Sequence, residues 1–121
     1  MDYEVSVSSC NTYVCCRVKG DFTAEEARIF TMDAENLSRE KGIKRFLFDM
    51  RRGRNASSIF RNYEYAYNDM HEMGVTRSAR SAMLVGPEDK SHDFVETVCQ
   101  NAGYNVRLFR DEQEAIEWLR E

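Results

Sequence analysis

One proline, six glycines, two histidines and four cysteines are thin stock for 121 residues. So little proline and glycine excludes collagen-like, linker-like and low-complexity chains. No apolar run approaches the ~18–20 residues that span a bilayer. Met1-Asp2-Tyr3-Glu4 is not followed by a charged-then-apolar segment, so no signal peptide is read and a cytoplasmic placement is expected. The cysteines stand at 10, 15, 16 and 99 with no CxxC pair. A disulfide framework is not expected in a reducing compartment, and a zinc site would have to recruit His71 or His92 from elsewhere. Neither a metal nor a cofactor is expected. Positive charge is short as well: 17 basic against 21 acidic residues leaves −4. That argues against a nucleic-acid binder, while leaving room for a local basic patch.

What is present is enough for one core. The chain is 42% hydrophobic and 12% aromatic, at a length typical of one domain. Tyr3, Val5 and Val7 alternate with polar residues, and Tyr13 to Lys19 puts Val14, Cys16 and Val18 on one face, which predicts an antiparallel hairpin. Its outward face, Glu4, Ser6 and Ser8 with Tyr13, Cys15, Arg17 and Lys19, is expected to be solvated. Thr23-Ala24-Glu25-Glu26 is a capping box. The helix it opens runs to Lys41, with Ala27, Phe30, Ala34 and Leu37 inward and Gly42 as its stop. Arg45 to Met50 holds Phe46-Leu47-Phe48, an unalternating apolar run that suits a central strand covered on both faces.

Ser57 or Ser58 caps a middle helix that runs to Met73, with Ile59, Tyr63, Ala66, Met70 and Met73 read as its inward stripe. Phe60, Tyr65 and Tyr67 make that helix more aromatic than one sheet contact needs, which points to a groove or an interface, a homodimer included. Ser81 to Gly86 is the next strand. After Pro87-Glu88-Asp89 comes a helix with Phe94, Val95, Val98, Cys99 and Ala102 inward, then a strand over Tyr104 to Phe109. Asp111-Glu112-Gln113-Glu114 opens a last helix with Ala115, Ile116, Trp118 and Leu119 inward. The order ββαβαβαβα predicts one α/β domain over residues 1–121 with a mixed five-stranded sheet.

Two loops draw attention. Asp49, Arg51, Arg52, Arg54, Asn55, Ser57 and Ser58 lie at a strand's carboxyl end and run into a helix start. Ligands of open α/β sheets favour that rim, and helix amides with arginine forks suit an anion or an acidic protein surface. Asp89-Lys90-Ser91-His92 is expected to open on the same rim, with His92 exposed. An enzyme using His92 with Ser91 or Asp89 ranks last, since triad members meet from separated elements and no glycine-rich phosphate loop or nucleophile elbow is present.

The strand end Phe46-Leu47-Phe48-Asp49, the element order, and the ending Phe109-Arg110-Asp111-x-x-x-Ala115-x-x-Trp118-Leu119 resemble a STAS domain. The closer resemblance is to the SpoIIAA-like branch that is grouped with CRAL-TRIO-like folds. The resemblance implies a non-enzymatic regulatory or binding module with a protein partner, such as a regulatory kinase or an anti-sigma-like factor. It carries over Ser57 and Ser58 as phosphorylation candidates, without the Asp before and the Gly after that the family motif has. The CRAL-TRIO-like relatives imply the alternative, a carrier of a lipid-like ligand in a cavity under the middle helix. The leading expectation is engagement of a protein or small anion at the rim of residues 49–58 and 89–92.

Overall fold

The computed structural model describes residues 2–121. Its five-stranded sheet comprises β1 (Tyr3–Val7), β2 (Val14–Val18), β3 (Arg45–Asp49), β4 (Arg80–Leu84) and β5 (Asn105–Phe109), neighbours in that same order. β1 runs antiparallel to β2, and the remaining pairs are parallel. The expected mixed α/β sheet and element order are both present.

Strands that follow one another in sequence and in space, joined by right-handed crossovers, send every crossover helix to the same face. That face carries α1 (Ala24–Lys41), the middle helix and α4 (Asp93–Asn101). They cover Val14, Cys16, Val18, Phe46, Phe48, Met83 and Val106. The last helix, α5 (Glu112–Arg120), follows β5 and folds back on the opposite face, where Ala115 and Leu119 pack on Leu47, Ala82, Leu84 and Phe109. β3 is therefore covered on both sides, as Phe46-Leu47-Phe48 required. α5 reaches far enough to half-bury Tyr13 and Cys15, so only Glu4, Ser6 and Arg17 of the hairpin's expected polar face are exposed.

The capping box of α1 forms as read: Thr23 Oγ1 accepts from Glu26 N, and Glu26 accepts from Thr23 N. Gly42 ends the helix at φ 69°, a left-handed turn where a side chain is strained. Phe94, read as inward, is more than a third exposed.

The middle helix departs from its predicted periodicity. It starts as α2 (Ile59–Glu64), passes through one π turn (Tyr65–Asp69), and ends as α3 (Met70–Glu72). In the π turn the Met70 amide donates to Tyr65 O, five residues back. The wider turn lets Asn62, Ala66, Met70 and Met73 all face inward. Ile59 and Tyr63, read as core, are instead 68% and 48% exposed, with Phe60 at 72%. Tyr65, read as pointing elsewhere, turns in and shares a 2.8 Å hydrogen bond with Thr31 of α1. Ion pairs fasten this helix to α1: Arg61 bridges Glu25 at 2.7 Å and Asp69 at 2.5 Å, and Arg28 reaches Asp69 at 3.3 Å.

Candidate functional site

The carboxyl ends of β3 and β4 open on one rim, and the two predicted loops do meet there. Met50 N donates to Leu84 O as β3 leaves the sheet. The arginine loop is then laced to the chain on either side of it. Phe22 N donates to Arg54 O and Ala56 N to Phe22 O, while Asn55 N donates to Ser91 Oγ at 3.0 Å. At Gly53 the loop runs so close to Gly20 that an added Cβ would overlap the Gly20 carbonyl oxygen and lie 2.6 Å from its carbon.

This lacing uses up several of the predicted binding residues. Arg51 forks onto Asp49 through Nε at 3.0 Å and Nη2 at 2.7 Å, with Glu112 at 3.7 Å. Burial would raise the Asp49 carboxyl, but hydrogen bonds from Arg51 and then Arg17 outweigh it and hold it below the usual range. Asn55 donates to Asn62 Oδ1 and accepts from Ser57 N, each at 3.0 Å. Ser57 Oγ accepts from Ala24 N at 2.7 Å, so it caps α1. Ser58 Oγ accepts from Arg61 N at 3.1 Å, capping α2, yet stays exposed. Arg54 remains 65% exposed in its side chain, 3.6 Å from Asp89. Arg52 is exposed and makes no ion pair among the described residues. The loop thus presents Arg52, Arg54 and Ser58 outward and spends Arg51, Asn55, Ser57 and Ser91 on its own geometry.

His92 corrects the sequence reading most sharply. Expected exposed, it is 1% exposed and stacked on Phe22, with ring centroids 5.8 Å apart. Its Nε2 lies 3.3 Å from Gly53 O and 3.2 Å from Asp89 Oδ2, two acceptors, so Nε2 carries a proton. Burial lowers its pKa against the opposing pull of Asp89. His92 is a pin under the loop, and its ring is closed to an external ligand. Sequence reasoning missed Gly53, Phe22 and Arg110, whose guanidinium donates to Asp89 O at 2.9 Å. A glycine inside a run of arginines was the available signal for a close backbone approach. It also missed that Ile59 and Phe60, next to Ser58, point outward.

The cavity considered for the carrier alternative exists. It has a volume of about 80 Å³ and lies between the sheet, α1, the middle helix and α4. Pockets that take drug-sized molecules run to about 300–1,000 Å³. That volume is small beside a long acyl chain.

At the opposite end of the sheet, the β1–β2 turn holds Cys10, exposed and 2.9 Å from Thr12 Oγ1. Hydrogen bonds from Thr12 and then Ser8 bring its pKa down to about 7. Burial pushes Cys16 and Cys99 up to about 12. Because the thiolate is the nucleophile, iodoacetamide at pH 7.5 is expected to modify Cys10 first in the folded protein. Cys16 and Cys99 should react only after denaturation. Peptide mapping of a time course checks the order.

Among the described residues no helix is long and apolar enough to cross a membrane, and no group of three or more His, Cys, Asp and Glu is placed to hold a metal ion. The family model described as SpoIIAA-like matches residues 13–120. A crystal structure of an uncharacterised protein from Shewanella loihica PV-4 with a SpoIIAA-like fold is similar, with a TM-score of 0.58 at 18% identity. The match covers 98% of this chain and 92% of that one, a likeness of fold. No curated protein matches the chain.

Proposed function

We propose that this chain, which belongs to the SpoIIAA-like family, is a non-enzymatic regulatory module that docks an acidic protein partner on the rim of residues 49–58 and 89–92. One observation carries the reading. The outward-facing Arg52, Arg54 and Ser58 are followed at once by Ile59 and Phe60, 68% and 72% exposed. Arginine beside exposed aromatic and aliphatic surface is the composition of interface centres. A small anion would need the charges and the capped helix start, but has no use for Phe60. The polar groups that an enzyme would draw on, Ser91, His92 and Asp89, bond to one another's loops and hold the rim in shape.

Ser58 is the better placed of the two phosphorylation candidates, because its hydroxyl is exposed while that of Ser57 caps α1. A phosphate there would add about −1.5 to −2 charges to the rim that carries Arg52 and Arg54 and offset the attraction for an acidic partner. The module would then be released by modification.

The test compares affinity capture from the native host by the unmodified protein, by Arg52→Glu with Arg54→Glu, and by Phe60→Asp. The expected result is that the same captured proteins fall at least tenfold in both variants, while urea melts move by less than about 1 kcal/mol, as surface changes usually do. Retention of those proteins by both folded variants would overturn the reading. Intact mass of protein from the host reports whether Ser58 carries phosphate. Recovery of the chain itself as the captured species would make the partner a second copy.

A further inference from the structure

The open sheet has two edges, and the chain treats them differently. On β5 the bond from Val85 N to Phe109 O turns residues 105, 107 and 109 toward β4 and leaves Val106 and Leu108 facing outward. Side chains of α4 occupy that edge: Gln100 Nε2 donates to Val106 O at 2.8 Å, and Glu96 Oε2 accepts from Leu108 N at 2.6 Å. On β1 the flanking bonds, Lys19 N to Asp2 O and Ser8 N to Tyr13 O, fix the ladder to β2 on the even-numbered residues. The amides and carbonyls of Tyr3, Val5 and Val7 therefore point away from β2, and they have no partner among the described residues. Nor does β1 carry the proline, lysine or bulge with which proteins blunt an exposed edge.

This edge is set in advance. The Tyr3 and Val5 side chains pack with the core, and Tyr3 rests against Phe30 with its hydroxyl donating to Asp33. A strand already held in place loses little freedom when another pairs with it. We infer that β1 is a self-docking edge, to which a second copy of this chain adds its own β1, antiparallel about a two-fold axis at Val5. The strand is its own complement when reversed. With Val5 facing its symmetry mate, Tyr3 faces Val7 of the second copy, and every outward amide of one strand meets an outward carbonyl of the other. The side chains match as well: aromatic against β-branched on the helix-covered face, and Glu4 against Ser6 on the exposed one. Glu4 brings no unpaired charge to the seam, since Lys19 stands 2.5 Å from it. Neighbouring registers are worse. An axis at Glu4 sets carboxylate against carboxylate, and one at Ser6 leaves Tyr3 against the hairpin turn. The contact is one strand wide, which makes the dimer a weak one that forms with concentration. It leaves the rim free, because β2 stands between β1 and β3.

Sedimentation velocity of the intact protein over a concentration series tests this, with amide hydrogen exchange beside it. A reversible monomer–dimer equilibrium is expected, in which exchange at the Tyr3, Val5 and Val7 amides slows as concentration rises. Ser6 is exposed, so changes there leave the core alone. Ser6→Glu sets a carboxylate opposite Glu4 of the second copy and should weaken the dimer about threefold or more, while Ser6→Lys should tighten it by a similar factor. Val5→Pro removes the central outward amide without touching the ladder to β2, and should abolish association. A chain that stays monomeric up to about 1 mM, the range of weak contacts, would overturn the inference. So would a dimer indifferent to both Ser6 variants, because the contact would then lie on another face. Neither result needs Val5→Pro to fold, and neither bears on capture of a partner at the rim.

Discussion

Gly53→Ala is expected to destabilise the protein by about 3 kcal/mol or more, the upper end of what forcing extra atoms into packed structure costs. The reason is backbone against backbone. The added methyl would overlap the Gly20 carbonyl oxygen, and no side chain can rotate away to make room. The loop must lift from the end of β2, and as it lifts Gly53 O leaves His92. Phe22 N and Ala56 N lose their partners in the same movement, since Phe22 bonds on both sides to residues 54 and 56. Gly86→Ala is the control, because an added Cβ there meets nothing closer than 3.7 Å. Urea denaturation should separate the two variants by at least 2 kcal/mol, a gap beyond ordinary surface effects. A Gly53→Ala midpoint within error of the Gly86→Ala midpoint would mean that the loop does not rest on residue 20.

His92→Ala removes a ring that is fully enclosed, and is expected to cost about 3 kcal/mol, as for other large-to-small changes in cores. His92→Gln is the informative companion, because it keeps a donor for Gly53 O and removes the titration. Burial holds the folded-state pKa of His92 below its ordinary value near 6.5. The folded protein therefore keeps the ring neutral while the unfolded chain takes up a proton. Stability is lost as pH falls through about 6.5 toward the lowered folded value. Asp49 and Asp89 act lower down: each is held below the usual carboxylate range, so their contributions are present above about pH 3.9 and fade beneath it. Glu35, pushed up by burial, works in the opposite sense, gaining stability as pH falls toward the ordinary carboxylate range. The measurement is thus the difference between the unmodified protein and His92→Gln at pH 7.5 and at pH 5.5. The unmodified protein should lose stability relative to the variant at the lower pH. Parallel behaviour would show that His92 does not titrate with folding.

Much of the fold was legible because its signals are local. Thr23 and Glu26 announce α1, the stretch Phe46-Leu47-Phe48 announces a doubly covered strand, and the crossover order then dictates the face on which three helices lie. The meeting of residues 49–58 with 89–92 was also legible, since successive parallel strands bring their carboxyl ends to one rim. Less visible was which side chains the rim would keep for itself. Arg51, Arg52 and Arg54 read alike, and only the position of Asp49 beneath the first of them removes Arg51 from the outward set. His92 misled because a polar residue near a helix start is ordinarily solvated. Its burial depends on Phe22, 70 positions away in sequence, and on the open acceptor of Gly53. Glu35 lay hidden among the charges of α1. Its period places it next to Ala34 and Ser38 on the covered side, but burial of a carboxylate is not something composition suggests.

The π turn in the middle helix has a consequence for how this chain can vary. A straight α-helix would tie the orientation of its first turn to that of its last, so that any change to the outer stripe would echo in the core. The extra residue in the turn at Tyr65–Asp69 resets the phase between them. Residues 59, 60 and 63 are thereby relieved of packing duty, while 66, 70 and 73 retain it. The outer stripe of the first half can vary by substitution alone, while the second half holds the sheet covered.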